Sequence, residues 1–185
     1  MDVKSELLDT GRYIVIGLIL AIALNFGLGL VLGAEKPVMA VVSSSMEPTF
    51  SKGDLVVIKG VEPEDVKVGD IIVYYNPFKH IPVVHRVVAI EEIDGKLYFI
   101  TKGDNNLTNP YPDQDPRVML APPVSEQYLR GKVVFWIPKV GWVKVLFTEL
   151  AAKYGLVKVL LLVLLLFITF GMVEDYIKER KKSSS

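Results

Sequence analysis

Three short segments of the chain hold side chains suited to catalysis. The first is Ser43-Ser44-Ser45-Met46-Glu47-Pro48-Thr49. A serine hydroxyl becomes a nucleophile only beside a base, on a turn that exposes its oxygen next to N–H donors for an oxyanion. Three serines before a Met-Glu-Pro turn could supply this, although a serine-rich turn taken alone is far more often an ordinary loop. The second segment is Pro82-Val83-Val84-His85-Arg86-Val87-Val88. In a strand, His85 shares a face with Val83 and Val87, while Arg86 takes the other face with Val84 and Val88. An imidazole among β-branched residues needs a polar partner, either as a base or as a core histidine satisfied by a carbonyl. The third segment, Thr101-Lys102-Gly103-Asp104-Asn105-Asn106, is a strand end that turns on Asx hydrogen bonds. His80, in Asn76-Pro77-Phe78-Lys79-His80, belongs to a solvated turn.

Composition removes other chemistries. The 185-residue chain has no cysteine and 2 histidines, so thiolate nucleophiles, disulfides, Cys-ligated zinc and His-rich metal centres are excluded. No metal and no cofactor is expected. Lys plus Arg and Asp plus Glu number 21 each, and no basic block occurs before the last residues. Nucleic acid is therefore a poor partner, because phosphate neutralisation needs clustered cations.

These segments must be held by the elements around them. Residues 13–34 carry no charge and Asn25 as their one strongly polar residue. At about 1.5 Å per helical residue they can cross a hydrocarbon core of roughly 30 Å. The apolar run is too long for a cleaved signal, and Leu32-Gly33-Ala34 is a poor small-x-small cleavage site, so residues 12–34 read as an uncleaved transmembrane anchor. Residues 159–173 are also uncharged, and with Lys158 snorkelling a second membrane helix spans 156–173. Lys178, Arg180, Lys181 and Lys182 in the tail 174–185 place the C-terminus on the cytoplasmic side. Two spans return the N-terminus, with Lys4 and Arg12, to that side. The expected localisation is the cell membrane, multi-pass, with the intervening domain outside. Residues 141–155 are expected along the membrane interface.

Between the apolar segments the period changes to two. Residues 55–58, 71–75, 83–90, 96–101 and 132–137 are β-branched or aromatic runs, punctuated by Gly-Asp, Asn-Pro and Asp-Gly turns. They predict a mainly β fold, a compact antiparallel domain over 38–140 flanked by membrane helices. Asp94-Gly95 is the clearest hairpin signal. Residues 107–124 lapse into a long Pro- and Asp-rich loop, the kind that carries function on a rigid scaffold.

Taken together, Ser43-x-Ser45-Met46-x-Pro48-Thr49, Gly53-Asp54-Leu55, Val68-Gly69-Asp70-Ile71-Ile72, His85-Arg86-Val87 and Lys102-Gly103-Asp104-Asn105-Asn106, in this order after an N-terminal anchor, resemble type I signal peptidase. The resemblance covers about residues 38–140 and implies a signal-peptidase-like β fold. Bacterial members use a lysine where His85 stands. The histidine resembles the archaeal and endoplasmic-reticulum branch, and the second span suits an archaeal enzyme.

The resemblance implies Ser45 as nucleophile and His85 as general base, with the Ser45 N–H and the Ser43 hydroxyl forming the oxyanion hole. The family acid lies just beyond the Gly-Asp-Asn-Asn turn, but the loop here is longer. Asp115, which keeps an Asp-x-Arg spacing with Arg117, is the preferred match. Asp113 is the alternative acid, and Asp104 would support the turn. The implied activity is that of a membrane-anchored serine endopeptidase removing signal peptides from preproteins after small-x-small sequences. Its partners would be signal peptides and the bilayer, and the assignment admits the translocation machinery as a further partner. Residues 38–42 are the expected edge strand for an extended substrate. Phe78, Phe135 and Trp136 are read either as interface contacts or as β-domain core. Two other functions fit parts of the pattern: a non-catalytic membrane-anchored β-barrel adaptor, and a self-cleaving serine-lysine protease, which would need lysine in place of His85.

Overall fold

The computed structural model describes the backbone of residues 3–183, which divide into two compact units, one ending at Gly141 and the other beginning at Trp142. The side chains of Lys4, Lys178, Arg180, Lys181 and Lys182, on which the orientation argument rests, lie outside the described residues.

The first unit begins with helix α1, Val3–Leu32. Its stretch Thr10–Leu32 is, among the described residues, the one helix long and apolar enough to cross a membrane. Gly33 ends it at φ 60°, a left-handed conformation that costs glycine little, and the Ala34 N–H closes the last turn on the Gly29 carbonyl. The Gly60 N–H also donates to the Leu32 carbonyl, which ties the helix end to the sheet.

Six strands follow: β1 Val38–Ala40, β2 Leu55–Lys59, β3 Ile71–Asn76, β4 Ile81–Ile93, β5 Lys96–Lys102 and β6 Leu129–Ile137. They form one antiparallel sheet in the order β1-β2-β6-β3-β4-β5. Both faces are covered, so alternation along a strand assigns residues to two cores rather than to core and solvent. Val41, Met46, Phe50, Val56, Ile58 and Val73 pack on one face. Val66, Ile72, Tyr74, Val87, Phe99, Ala121 and Val124 pack on the other. Burying such apolar side chains supplies the main drive for folding, about 25 cal/mol for each Å² removed from water.

The five strand-like runs are strands, and Asp94 and Gly95, at φ 52° and 72°, make the tight turn between β4 and β5. The expected edge strand over 38–42 is confined to β1, which lies at the sheet edge with β2 as its neighbour. β4 meets β3 from Ile81 to Arg86 but meets β5 only from Arg86 onward. The segment 81–85 therefore has a second free edge, ending at the histidine.

Phe78, Phe135 and Trp136 are exposed, so of their two readings the core one does not hold, although Trp136 meets Phe50 edge-on.

The second unit contains helices α2, Trp142–Tyr154, and α3, Leu156–Ser183. Gly155, at φ 88°, separates them. Helix α2 occupies the segment expected along the interface; Leu146, Glu149, Ala151, Ala152 and Lys153 give it good helix formers. Among the described residues, the apolar stretch of α3 covers Leu156–Leu166, which is shorter than a membrane span. A second span over 156–173 is thus not shown by length and composition.

Candidate active site

The serine segment lies between β1 and β2 and is anchored from below. Met46 and Phe50 are sunk in the first core, and Asp54 closes the base of the loop by accepting from the Ser51 and Lys139 N–H groups. Ser45 is thereby held at the rim with its side chain half-buried.

The turn after β5 grips the same segment. Asn105 donates its N–H to the Ser45 carbonyl at 2.9 Å and its side-chain amide to the Ser44 carbonyl at 2.9 Å. Gly103 allows the approach, because a Cβ there would stand 2.5 Å from the Ser45 carbonyl oxygen.

Asp104 completes the grip. It accepts both Arg86 Nε at 2.8 Å and Nη2 at 2.6 Å, together with the Thr49 hydroxyl at 2.5 Å. The Arg86 guanidinium, aided by Thr49, holds the Asp104 carboxyl below its ordinary range against the cost of burial. One carboxylate thus joins the serine loop, the turn and the residue next to His85.

His85 comes from β4 on the face shared with Val87, as period two requires, and is 6% exposed. Its Nε2 is 3.1 Å from Ser45 Oγ, and its Nδ1 is 2.6 Å from Asp113 Oδ2. With Nδ1 carrying the proton toward the carboxylate, Nε2 presents its lone pair to the serine hydroxyl. Ser43 Oγ lies 3.2 Å from Ser45 Oγ. Ser45 Oγ, the His85 ring and Asp113 thus stand in line, at the geometry that proton transfer from a hydroxyl demands.

The acid in that line corrects the preferred expectation. Asp113, not Asp115, reaches His85. Asp115 instead receives the Arg117 guanidinium, 2.6 Å away, and the Arg117 N–H, which together hold its carboxyl down at about 2. The Asp-x-Arg spacing that favoured Asp115 is satisfied by this local ion pair, and Arg117 also stacks on Tyr111 at 3.5 Å. Asp113 is drawn inward by its backbone: its N–H donates to the Thr101 carbonyl, and its carbonyl accepts from Leu120 and Ala121.

Two side chains at the site escaped sequence reasoning. Tyr74 donates its hydroxyl to Asp113 Oδ2 at 3.0 Å, and Thr101 does so at 2.7 Å. Burial, and next the Asp113 charge, push the Tyr74 phenol far above its usual value, so it remains a donor. A signal was available: Tyr74 lies two positions from Ile72, which pairs with His85, and a buried tyrosine hydroxyl needs a partner. His80 is far from this chemistry in its turn, with Nδ1 3.3 Å from the Tyr75 hydroxyl. No cluster of metal-ligating side chains occurs among the described residues.

Residues 9–99 match the family described as signal peptidase, peptidase S26. The signal peptidase complex catalytic subunit SEC11 of Lachancea thermotolerans is 36% identical over 164 residues, covering 86% of this chain and 96% of that protein. SEC11 of Komagataella phaffii is 33% identical over 183 residues, covering 90% and 98%. The signal peptidase complex catalytic subunit SEC11C of Rattus norvegicus is 33% identical over 139 residues, covering 72% and 69%. These relatives are eukaryotic, so the archaeal part of the expectation has no support, while the endoplasmic-reticulum branch does. With a relative this similar over nearly its whole length, the chain belongs to the signal peptidase family, peptidase S26.

Proposed function

We propose that this chain is a membrane-anchored serine endopeptidase that removes signal peptides, with Ser45 as nucleophile, His85 as general base and Asp113 as the acid behind it. The observation that carries the reading is the line Ser45 Oγ to His85 Nε2, 3.1 Å, and His85 Nδ1 to Asp113 Oδ2, 2.6 Å. Ser45 attacks the scissile carbonyl while His85 takes its proton. His85 then returns that proton to the leaving amine, and a water molecule repeats the sequence to release the acyl group. Asp113 stabilises the imidazolium formed at each step without taking the proton. The Ser45 N–H and the Ser43 hydroxyl serve the oxyanion; the 3.2 Å between the two serine oxygens supports a donor from Ser43 at the reacting carbon.

Substrate is held as an added strand. The free edges of β1 and of residues 81–85 supply main-chain donors and acceptors that read no side chain, leaving selection of small-x-small to the walls near Ser45. Helix α1 is the membrane anchor, and the apolar part of α3 forms a second span that returns the chain to its starting side, with residues 38–140 as the catalytic domain and 141–155 at the interface. Cleavage takes place where preproteins leave the membrane, with the translocation machinery as neighbour. A non-catalytic adaptor would leave the aligned serine, histidine and aspartate without use.

The deciding experiment is cleavage of a preprotein in detergent. Ser45→Ala should abolish cleavage with melting nearly unchanged, His85→Ala should abolish it at some cost in stability, and His80→Ala should cleave normally. Full activity in Ser45→Ala would remove the assignment.

A further inference from the structure

The Asp113 carboxylate is held in an unusual way. Oδ2 accepts three hydrogen bonds, from His85 Nδ1 at 2.6 Å, Thr101 Oγ1 at 2.7 Å and the Tyr74 hydroxyl at 3.0 Å. Oδ1 is equally buried and has no hydrogen-bond partner among the described residues. The last torsion of an aspartate is broad, so its own conformational preference does not fix the carboxylate plane. Only the donors gathered on Oδ2 can do so.

Those donors come from three neighbouring strands. In the register of β3 with β4, His85 stands opposite Ile72 and Val83 opposite Tyr74; in that of β4 with β5, Val87 stands opposite Thr101. Positions 83, 85 and 87 share a face, so Tyr74, His85 and Thr101 rise from the same side of the sheet toward one oxygen. Thr101 is itself oriented: its N–H donates to Gln114 Oε1 at 2.8 Å, and its hydroxyl accepts from Gln114 Nε2 at 3.4 Å, leaving the hydroxyl proton for Asp113.

We propose that Tyr74 and Thr101 are positioning residues that clamp Asp113 by a single oxygen and so hold the His85 ring with Nε2 toward Ser45. This rests on the roles assigned above to Ser45 and His85. Neither side chain touches the reacting atoms. Each acts through the carboxylate, and each draws off part of the charge on Oδ2 that would otherwise stabilise the imidazolium. The charged groups nearest this arrangement are Asp104 and Arg86, already paired with each other beside His85. Loss of either neutral donor therefore has two effects. The carboxylate gains freedom to rotate, which slows proton transfer, and the charge left on Oδ2 favours the protonated ring, so the ring takes its proton at higher pH.

The test uses the full chain in detergent with Tyr74→Phe, Thr101→Val and the conservative Thr101→Ser. Cleavage of a preprotein is followed across pH, and the histidine ring ¹⁵N signals are titrated in parallel, with His80→Gln assigning the two rings. Tyr74→Phe and Thr101→Val should each lower kcat about tenfold with KM within about twofold. Both should move the acid limb of kcat/KM and the His85 titration upward by about half a pH unit. Thr101→Ser should behave as wild type. An unmoved His85 titration in both donor-deleting variants, or activity lost only in step with folded fraction, overturns the proposal. A wild-type chain that cleaves no preprotein would overturn the functional reading instead, and the His85 titration would still decide the clamp.

Discussion

Two carboxylates flank the His85–Arg86 pair, and they are used in opposite ways. Asp104 is matched by a permanent cation: Arg86 engages it through two nitrogens, and Thr49 adds a third donor. Asp113 is fully buried, takes two neutral hydroxyls and one imidazole, and leaves an oxygen unbonded. A carboxylate already neutralised by arginine has little field left for a transient charge, so Asp104 serves to fasten segments together. Asp113, which no permanent cation pairs with in this arrangement, is the carboxylate proposed to stabilise the imidazolium formed during turnover. On the proposed roles, two residues of like chemistry thus divide into fastener and orienter, and the division is made by what each is allowed to bond.

Asp113→Asn is expected to give the largest effect in the comparison, a fall in turnover of roughly three to four powers of ten, since the wrong ring tautomer is then favoured while the geometry persists. Preprotein cleavage with a melting curve alongside checks it; a mild loss would make the two carboxylates equivalent and break the distinction. Asp104→Asn should instead lower stability and activity together. Arg86 would lose its partner at a partly exposed site, costing roughly 1–2 kcal/mol after allowance for solvent screening, or several degrees in melting temperature. Activity should then recover on cooling, which Asp113→Asn would not allow.

Acid titration sharpens the contrast further. The folded-state pKa of Asp104 is depressed, mainly by Arg86. Its contribution to stability is therefore present above the unfolded value near 3.9 and is lost as the pH falls through the lower folded value. Chemical denaturation from pH 5 downward should show a shallower loss for Asp104→Asn than for wild type. The smallest effect belongs to Asp115→Asn. Its partner Arg117 is exposed, so turnover should stay within about twofold and melting within about a degree or two. A severe loss there, with Asp113→Asn near wild type, would reverse the roles of the two acids.

How the chain announces its parts differs along its length. The apolar run of α1 is read from composition because a helix satisfies its backbone internally and its side chains need only be apolar. The strands of the sheet follow from period two and from turns such as Asp94-Gly95, both of which are local. Ser45 and His85 stand in short motifs, so their types and their order along the chain were legible. Residues 156–173 were less so: an apolar run interrupted by Lys158 permits a span without requiring one.

What pairs with what across the fold was another matter. Asp113 and Asp115 are two residues apart in a loop with no period, and local spacing favoured Asp115 because its arginine is close in sequence. Burial decided otherwise, through an N–H donated by Asp113 to Thr101 and N–H groups of Leu120 and Ala121 donated to the Asp113 carbonyl, which no local pattern encodes. Tyr74 and Thr101 were hidden for the same reason, as ordinary strand residues until β3, β4 and β5 lie side by side. Residue type and order thus singled out Ser45 and His85, the proposed nucleophile and base, from the chain alone. The acid and its clamp depend on sheet register and loop burial, because a carboxylate's role is set by the donors that long-range packing brings to it.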